Sequence, residues 1–185
     1  GNRRTPEYFL RALSNLLKVN PSMKDRIIVE FIGEVKYERQ LELKIGHIIK
    51  EENLQNVIKM IPFMSHRDGL ARLRYGDILL LVERSGQPET DNHWVVTSKL
   101  FEYLYLGKSI LALIPSEGDA AKIIKRANAG EVVEPTDVIS IQNKIHEMYC
   151  RFMQDKLFSE VDITYIDQFN RKKLTAELVM ILQCF

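Results

Sequence analysis

Two ionisable residues stand three positions apart in an otherwise apolar helical segment. Lys99 and Glu102 interrupt TSKLFEYLYLGKSILALIP (residues 97–115), which predicts a helix stopped by Gly107 and then a buried strand. Apolar residues cover nearly the whole circumference of that helix, so we expect it to lie inside the protein. Positions three apart share a helix face, and burying charge is costly without a compensating partner. The pattern therefore predicts either a polar ligand at Lys99 and Glu102 or an ion pair between them.

A long polar loop, ERSGQPETDNHWVV (residues 83–96), leads directly into this helix. Long loops in compact domains are often functional. The amino end of a helix offers free N–H groups and a partial positive charge, which suit phosphate. Anion binding at the start of this helix is therefore expected on physical grounds alone.

Composition excludes several classes of protein. Lys plus Arg is 26 and Asp plus Glu is 25, a net charge of +1 that gives no field for steering nucleic acid or anionic membrane. Cys150 and Cys184 lie far apart in sequence, so we expect no disulfide framework. We expect instead a reducing, cytoplasmic compartment. Zinc-finger spacing, the Asp-x-Asp motif and the Gly-x-Gly-x-x-Gly fingerprint of dinucleotide binders are absent, and no metal or other cofactor is expected.

Apolar runs of strand length alternate with segments of helical periodicity. Strands are predicted at 27–32, 57–61, 78–82, 110–114 and 132–133. Helices are predicted at 6–19, 38–50, from Ser65 onwards, at 98–106, from Ser116 to Gly130, from Thr136 or Asp137 to Met153, and at 167–183. Thr5 is the predicted cap of the first helix, and Ser65 with Asp68 and Ser116 with Asp119 are predicted capping boxes. The last helix carries Leu174, Leu178, Ile181 and Leu182 on one face. This order predicts a single α/β domain, residues 1–185, with a Rossmann-like parallel sheet covered by helices on both faces.

Ligands of such sheets sit beyond the carboxyl ends of the strands. Four regions fall there, residues 33–35, 62–66, 83–99 and 115–119. His66 and His93 lie in two of these regions. His66 is interpreted as an ordinary surface residue, and His93 is the one candidate for a catalytic base.

A family resemblance rests on four stretches. The likeness is strongest in SKLFEYLYLGKSILALIP and the following EGDAAKIIKRANAGEVVEP. It extends to NVIKMIPFMSHRDGLARLRYGDILLLV before them and to RKKLTAELVMIL after them. The sequence resembles the carboxyl-terminal nucleotide-sugar-binding domain of family 4 glycosyltransferases. Those enzymes have the two-domain GT-B fold. The resemblance implies transfer of a sugar from a UDP- or GDP-linked donor to a glycan or lipid-linked acceptor, with retention of stereochemistry.

The resemblance also implies roles for particular residues. Glu102 would bind the ribose hydroxyls, because a carboxylate accepts from two adjacent hydroxyl groups at once. The backbone at Thr97 and Ser98 would face the diphosphate. The remaining implied contacts are Lys99 and Arg4 to the phosphates, and Phe63 and Met64 to the base.

The sequence departs from the family pattern at two places. Trp94 stands where the first Glu of the family's Glu-x7-Glu motif is expected, so donor-sugar contacts would fall to Asp91, Asn92 or His93. Leu10 stands where family members often carry a second phosphate-binding Lys, six residues after the Arg4 position.

In the family, a strand precedes the turn at Gly1, and an amino-terminal domain binds the acceptor. In the usual strand order 3-2-1-4-5-6 that first strand is central. We therefore expect this chain to be a fragment that is inactive alone and exposed to self-association through open strand edges. The complete enzyme would be cytoplasmic or peripheral at the inner membrane face. Two other interpretations remain open, a GT-B sugar-nucleotide epimerase and a non-catalytic Rossmann-like interaction module.

Overall fold

Strands and helices alternate along most of the chain. The computed structural model describes residues 5–33, 39–82, 95–157 and 161–183. The strands are β1 (Val29–Ile32), β2 (Ile58–Ile61), β3 (Ile78–Val82), β4 (Ser109–Leu113) and β5 (Gly130–Val133). The helices are α1 (Glu7–Val19), α2 (Arg39–Glu51), α3 (His66–Leu73), α4 (Ser98–Leu106), α5 (Asp119–Arg126), α6 (Val138–Met153), α7 (Ile163–Asp167) and α8 (Arg171–Gln183), and a 3-10 turn spans Pro21–Met23.

Among the described residues, all strand pairs are parallel, and they form two sheets. One sheet has the order β1-β2, with Val29 opposite Ile58, and the other has the order β3-β4-β5, with Leu80 opposite Leu111. Parallel strands joined by crossover helices and covered on both faces confirm the predicted α/β fold class. The sequence pattern does not show that the strands divide into two sheets.

Two apolar clusters form the core, one on each face of the strands. The first, here called the α1 cluster, contains the buried residues of α1, α2 and α6 together with Leu111 and Leu113 of β4. The second, here called the α4 cluster, contains buried residues of α4 and α5 with Leu79 and Leu81 of β3. Neighbouring positions of β3 and β4 thus face opposite clusters, which explains why these strands are apolar without alternation.

Local capping explains where several helices begin. Thr5 Oγ1 accepts a hydrogen bond from the Glu7 amide at 3.3 Å. Asp137 Oδ1 accepts one from the Ser140 amide at 3.0 Å, so Asp137 caps α6, one of the two predicted candidates. The predicted capping box of Ser116 with Asp119 is wrong. The Ser116 amide instead donates to Glu134 at 2.8 Å, and α5 begins only after Gly118, without a side-chain cap.

The predicted last helix over 167–183 is confirmed as α8, which begins at Arg171 rather than Asp167, and the loop predicted before it contains the short helix α7. Asp162 caps α7 by accepting from the Tyr165 amide at 2.9 Å. Asn170 Oδ1 then accepts from the Lys172 amide at 3.0 Å, and Asn is a favoured residue at a helix start, so α8 begins anew there. All residues of α8 are exposed, including the apolar face formed by Leu174, Leu178, Ile181 and Leu182.

Candidate functional site

The candidate site is built on the amino ends of α3 and α4, which follow the carboxyl ends of β2 and β3. Ser65 fixes the start of α3. Its Oγ accepts from the Asp68 amide at 3.2 Å, as the predicted capping box requires, and the same hydroxyl donates to Asp68 Oδ2 at 2.6 Å. This cap makes His66 the first residue of α3, at the carboxyl edge of the strands.

The helix α4 has the predicted bounds, Ser98–Leu106. Leu100, Tyr103 and Leu104 are buried against the α4 cluster, and Gly107 ends the helix in the left-handed conformation at φ 63°. The expectation that this helix is enclosed on all sides is wrong, because Tyr105 is 82% exposed. One face of α4 therefore meets solvent, and Lys99 lies exposed.

Glu102 is held by a residue that the sequence did not identify. Its Oε1 lies 3.0 Å from His66 Nε2, and the Glu102 side chain is 30% exposed while that of His66 is 73% exposed. The predicted alternative, an ion pair between Lys99 and Glu102, is not the pair that forms. Because the pair with His66 is open to water, it contributes little to folding stability and leaves the carboxylate accessible.

The buried side of α4 adds a second polar feature. Thr97 precedes the helix in an extended conformation, and its Oγ1 is buried without a hydrogen-bond partner in the described part of the chain. Buried hydroxyl groups are normally hydrogen-bonded, so this one is a costly exception. Thr97 lies next to the free amides of the first turn, where Ser98 is exposed.

Tyr103 follows Glu102 in α4 and is buried in the α4 cluster. Burial raises the pKa of the Tyr103 phenol above its usual value, and the negative charge of Glu102 raises it further. The phenol therefore stays protonated and donates to the carbonyl of Leu80 in β3 at 3.5 Å. This contact ties the helix that carries Glu102 to the strand before it.

The other predicted site residues fall into two groups. Phe63 and Met64 follow β2 at the same edge, Phe63 exposed at 69% and Met64 partly buried. Arg4, His93 and the predicted substitutes Asp91 and Asn92 lie outside the described residues, as does Trp94. The structure thus brings Glu102, Thr97, Ser98, Lys99, Phe63 and Met64 to one edge of the strands.

Within the described ranges, no group of three His, Cys, Asp or Glu side chains is placed to hold a metal ion. The helices of the same ranges include none with both the length and the apolar character to cross a membrane.

Solved structures similar to this chain establish its fold. The structure of Anabaena Alr3699/HepE in complex with UDP-glucose matches with a TM-score of 0.73 at 13% identity, over 98% of this chain and 46% of that one. The chain has the fold of one half of a GT-B protein. The Alr3699/HepE complex with UDP matches with a TM-score of 0.72 at 15% identity, over 99% of this chain and 47% of that one.

A glycosyltransferase from Rickettsia africae is similar to the same extent, with a TM-score of 0.72 at 17% identity, over 97% of this chain and 44% of that one. The chain therefore spans less than half the length of these three similar structures. No protein-family model and no curated protein sequence matches it.

Proposed function

We propose that this chain is the donor-binding half of a glycosyltransferase that uses a nucleotide diphosphate sugar. The observation that carries the proposal is the position of Glu102, an accessible carboxylate at the carboxyl edge of a GT-B half-fold. Ligands of open α/β sheets bind at this edge. The solved structures of similar fold that contain UDP-glucose or UDP support a nucleotide donor.

In the proposed complex, Glu102 accepts hydrogen bonds from the two ribose hydroxyl groups. His66 Nε2 lies 3.0 Å from Oε1, so Oε2 is the oxygen proposed to accept from the ligand. Charge-assisted hydrogen bonds of this kind are about twice as strong as neutral ones. His66 is thus a positioning residue for Glu102.

The diphosphate lies at the amino end of α4. The free amides of the first turn and the hydroxyl of Thr97 donate to its oxygens, and the exposed Lys99 neutralises part of its charge. Phe63 and Met64 flank the base, which is uracil or guanine. Arg4 and His93 complete the proposed contacts, Arg4 to the phosphates and His93 as the candidate base.

The complete enzyme is proposed to be of the retaining, family 4 type. It passes the sugar to a glycan or lipid-linked acceptor bound by a second domain, in polysaccharide biosynthesis at the cytoplasmic side of a membrane. The residues at α4 contribute positioning and electrostatic stabilisation of the departing diphosphate. The chain alone is expected to bind donor without turning it over.

A nucleotide titration of the 185-residue chain tests the proposal. UDP and GDP are expected to bind with dissociation constants between about 1 mM and 1 μM. Glu102→Ala should weaken this binding at least about tenfold, because two hydrogen bonds to a charged group are lost. Glu177→Ala, which removes an exposed carboxylate of α8, is the matched control and should leave affinity unchanged.

Three outcomes would count against the proposal. Equal affinity of the Glu102→Ala and unaltered chains would remove the ribose role. Binding of none of UDP, GDP and ADP would favour a non-catalytic interaction module. Turnover of UDP- or GDP-sugars by this chain alone would contradict the need for a second domain.

A further inference from the structure

The helix α3 is attached to the rest of the chain by charged contacts more than by burial. None of its residues is buried, whereas α4 beside it buries Leu100, Tyr103 and Leu104. Its last residue, Leu73, is partly buried and packs against the α4 cluster. The position of the rest of α3 therefore depends on the polar contacts at its two ends.

The last turn of α3 is fixed to β1 by Arg72. The guanidinium of Arg72 donates to both carboxylate oxygens of Glu30, from Nε at 2.7 Å and from Nη2 at 2.8 Å. Two parallel hydrogen bonds of this kind define orientation as well as distance. This end of α3 is thus attached to the strands, away from the candidate site.

The first turn of α3 is joined to α4 by His66. Its Nε2 lies 3.0 Å from Oε1 of Glu102. An ionised carboxylate can only accept hydrogen bonds, so Nε2 carries the proton and donates. The start of α3 is therefore joined to the same carboxylate that is proposed to bind the ribose.

The segment that flanks the proposed base lies between β2 and this start of α3. On one side, the Ile61 carbonyl at the end of β2 accepts from the Gly33 amide at 3.0 Å. On the other side, Ser65 caps α3, and Met64 lies over the helix, with its Cγ 4.0 Å from where a Cβ of Gly69 would stand. A shift in the start of α3 would therefore displace Met64 and the base contacts with it.

We propose that His66 sets the base selectivity of the donor site, because it fixes the base-flanking segment relative to the carboxylate of Glu102. This inference rests on the proposed function, in which Phe63 and Met64 flank the base and Glu102 binds the ribose. His66 acts through Glu102 and α3, and is a positioning residue.

The selectivity follows from the distance between the two subsites. Uracil has one ring and guanine has two, so a base subsite held at one distance from the ribose carboxylate fits one of them better. Selectivity is the difference between the two affinities. Without His66, the start of α3 shifts about its anchor at Arg72, and the base-flanking segment adapts to either base.

Titrations of UDP and GDP into the 185-residue chain test this proposal. The unaltered chain is expected to bind one of the two at least about tenfold more tightly. His66→Ala should reduce that ratio about three- to fivefold, as expected for loss of one exposed charged contact. His66→Gln should retain the ratio, because its amide also donates to a carboxylate. Lys99→Ala is the control, and it should weaken both nucleotides equally because they share the diphosphate.

Amide hydrogen exchange of the nucleotide-free chain gives a second measurement. The Gly69 amide donates to the Ser65 carbonyl at 2.9 Å and reports on the first turn of α3. His66→Ala and Glu102→Ala should each speed its exchange about two- to fivefold, and the double variant should exchange no faster than either. Glu177→Ala in α8 should leave it unchanged.

Three results would each overturn the proposal. They are equal affinity of the unaltered chain for UDP and GDP, an unchanged ratio in His66→Ala, and equal Gly69 exchange in all variants. An unchanged ratio together with weaker UDP binding by Glu102→Ala would refute the role of His66 and leave the donor-binding function standing. Binding of neither nucleotide would refute both, whatever the Gly69 exchange shows about the attachment of α3.

Discussion

Replacing Thr97 by Val should separate folding stability from nucleotide binding. The Thr97 hydroxyl is buried and makes no hydrogen bond in the described structure, and it does not cap α4. Val has the same branched shape and suits the extended conformation at φ −84° and ψ 151°. Removing an unsatisfied buried hydroxyl recovers its desolvation cost, about 1–3 kcal/mol.

The expected gain is measurable by urea unfolding and by thermal melting. For a chain of this size, each kcal/mol corresponds to a rise of about 2–4 °C in Tm. The same change should weaken UDP binding about tenfold, because one hydrogen bond to a charged oxygen is lost. Thr97→Ser keeps the hydroxyl and removes the methyl group, so it should retain affinity and gain no stability.

A Thr97→Val chain that is less stable than the original would show that the hydroxyl has a partner in the free protein. A stabilised chain with unchanged UDP affinity would show that the hydroxyl serves no ligand. Either result would refute the reasoning that an unpaired polar group at this position is retained for an anion.

Two further predictions concern stability alone. Gly130→Ala should lower the free energy of unfolding, measured with urea, by several kcal/mol, because the new Cβ would lie 2.0 Å from a backbone oxygen of β4. The control Gly46→Ala, in the open middle of α2, should be neutral or slightly stabilising. Similar results for the two variants would contradict the close contact at Gly130. Lys18 and then Ser14 lower the pKa of Glu52 from its ordinary 4.5 through hydrogen bonds to its carboxylate. The stabilisation is therefore complete above that pH and is lost as the pH falls through the lowered value. The difference in unfolding free energy between the original chain and Glu52→Gln should shrink on acidification, and a difference independent of pH would exclude this contribution.

Local signals predicted the elements well. The bounds of α4 and β3 were confirmed, because Gly107 stops the helix and an unbroken apolar run defines the strand. The start of α8 was predicted at Asp167 instead of Arg171, because the helical periodicity extends back to that position, whereas Asn170 accepts from the Lys172 amide where the helix begins. Ser116 was assigned as a cap from its spacing alone, and a tertiary bond to Glu134 overrides that preference.

The site was harder to predict than the fold. The apolar surroundings of Glu102 indicate that it is special, but its partner His66 lies 36 positions away and is set by how α3 and α4 pack. Spacing along the chain carries no such information. The capping box at Ser65 was the available signal, because it fixes His66 at a helix start on the same edge of the strands.

The aromatic residues around α7 connect the end of the chain to the helix that carries Glu102. The ring of Phe169 lies 5.1 Å from that of Phe101 in α4 and 5.5 Å from that of Tyr165 in α7. The Asp162 amide also donates to the Ala127 carbonyl at 2.9 Å, which fixes the start of α7 on α5. The segment that leads into the exposed helix α8 is therefore attached to α4 by one tilted and one edge-to-face ring contact, and a truncation before Asp162 would leave Phe101 without its aromatic neighbour.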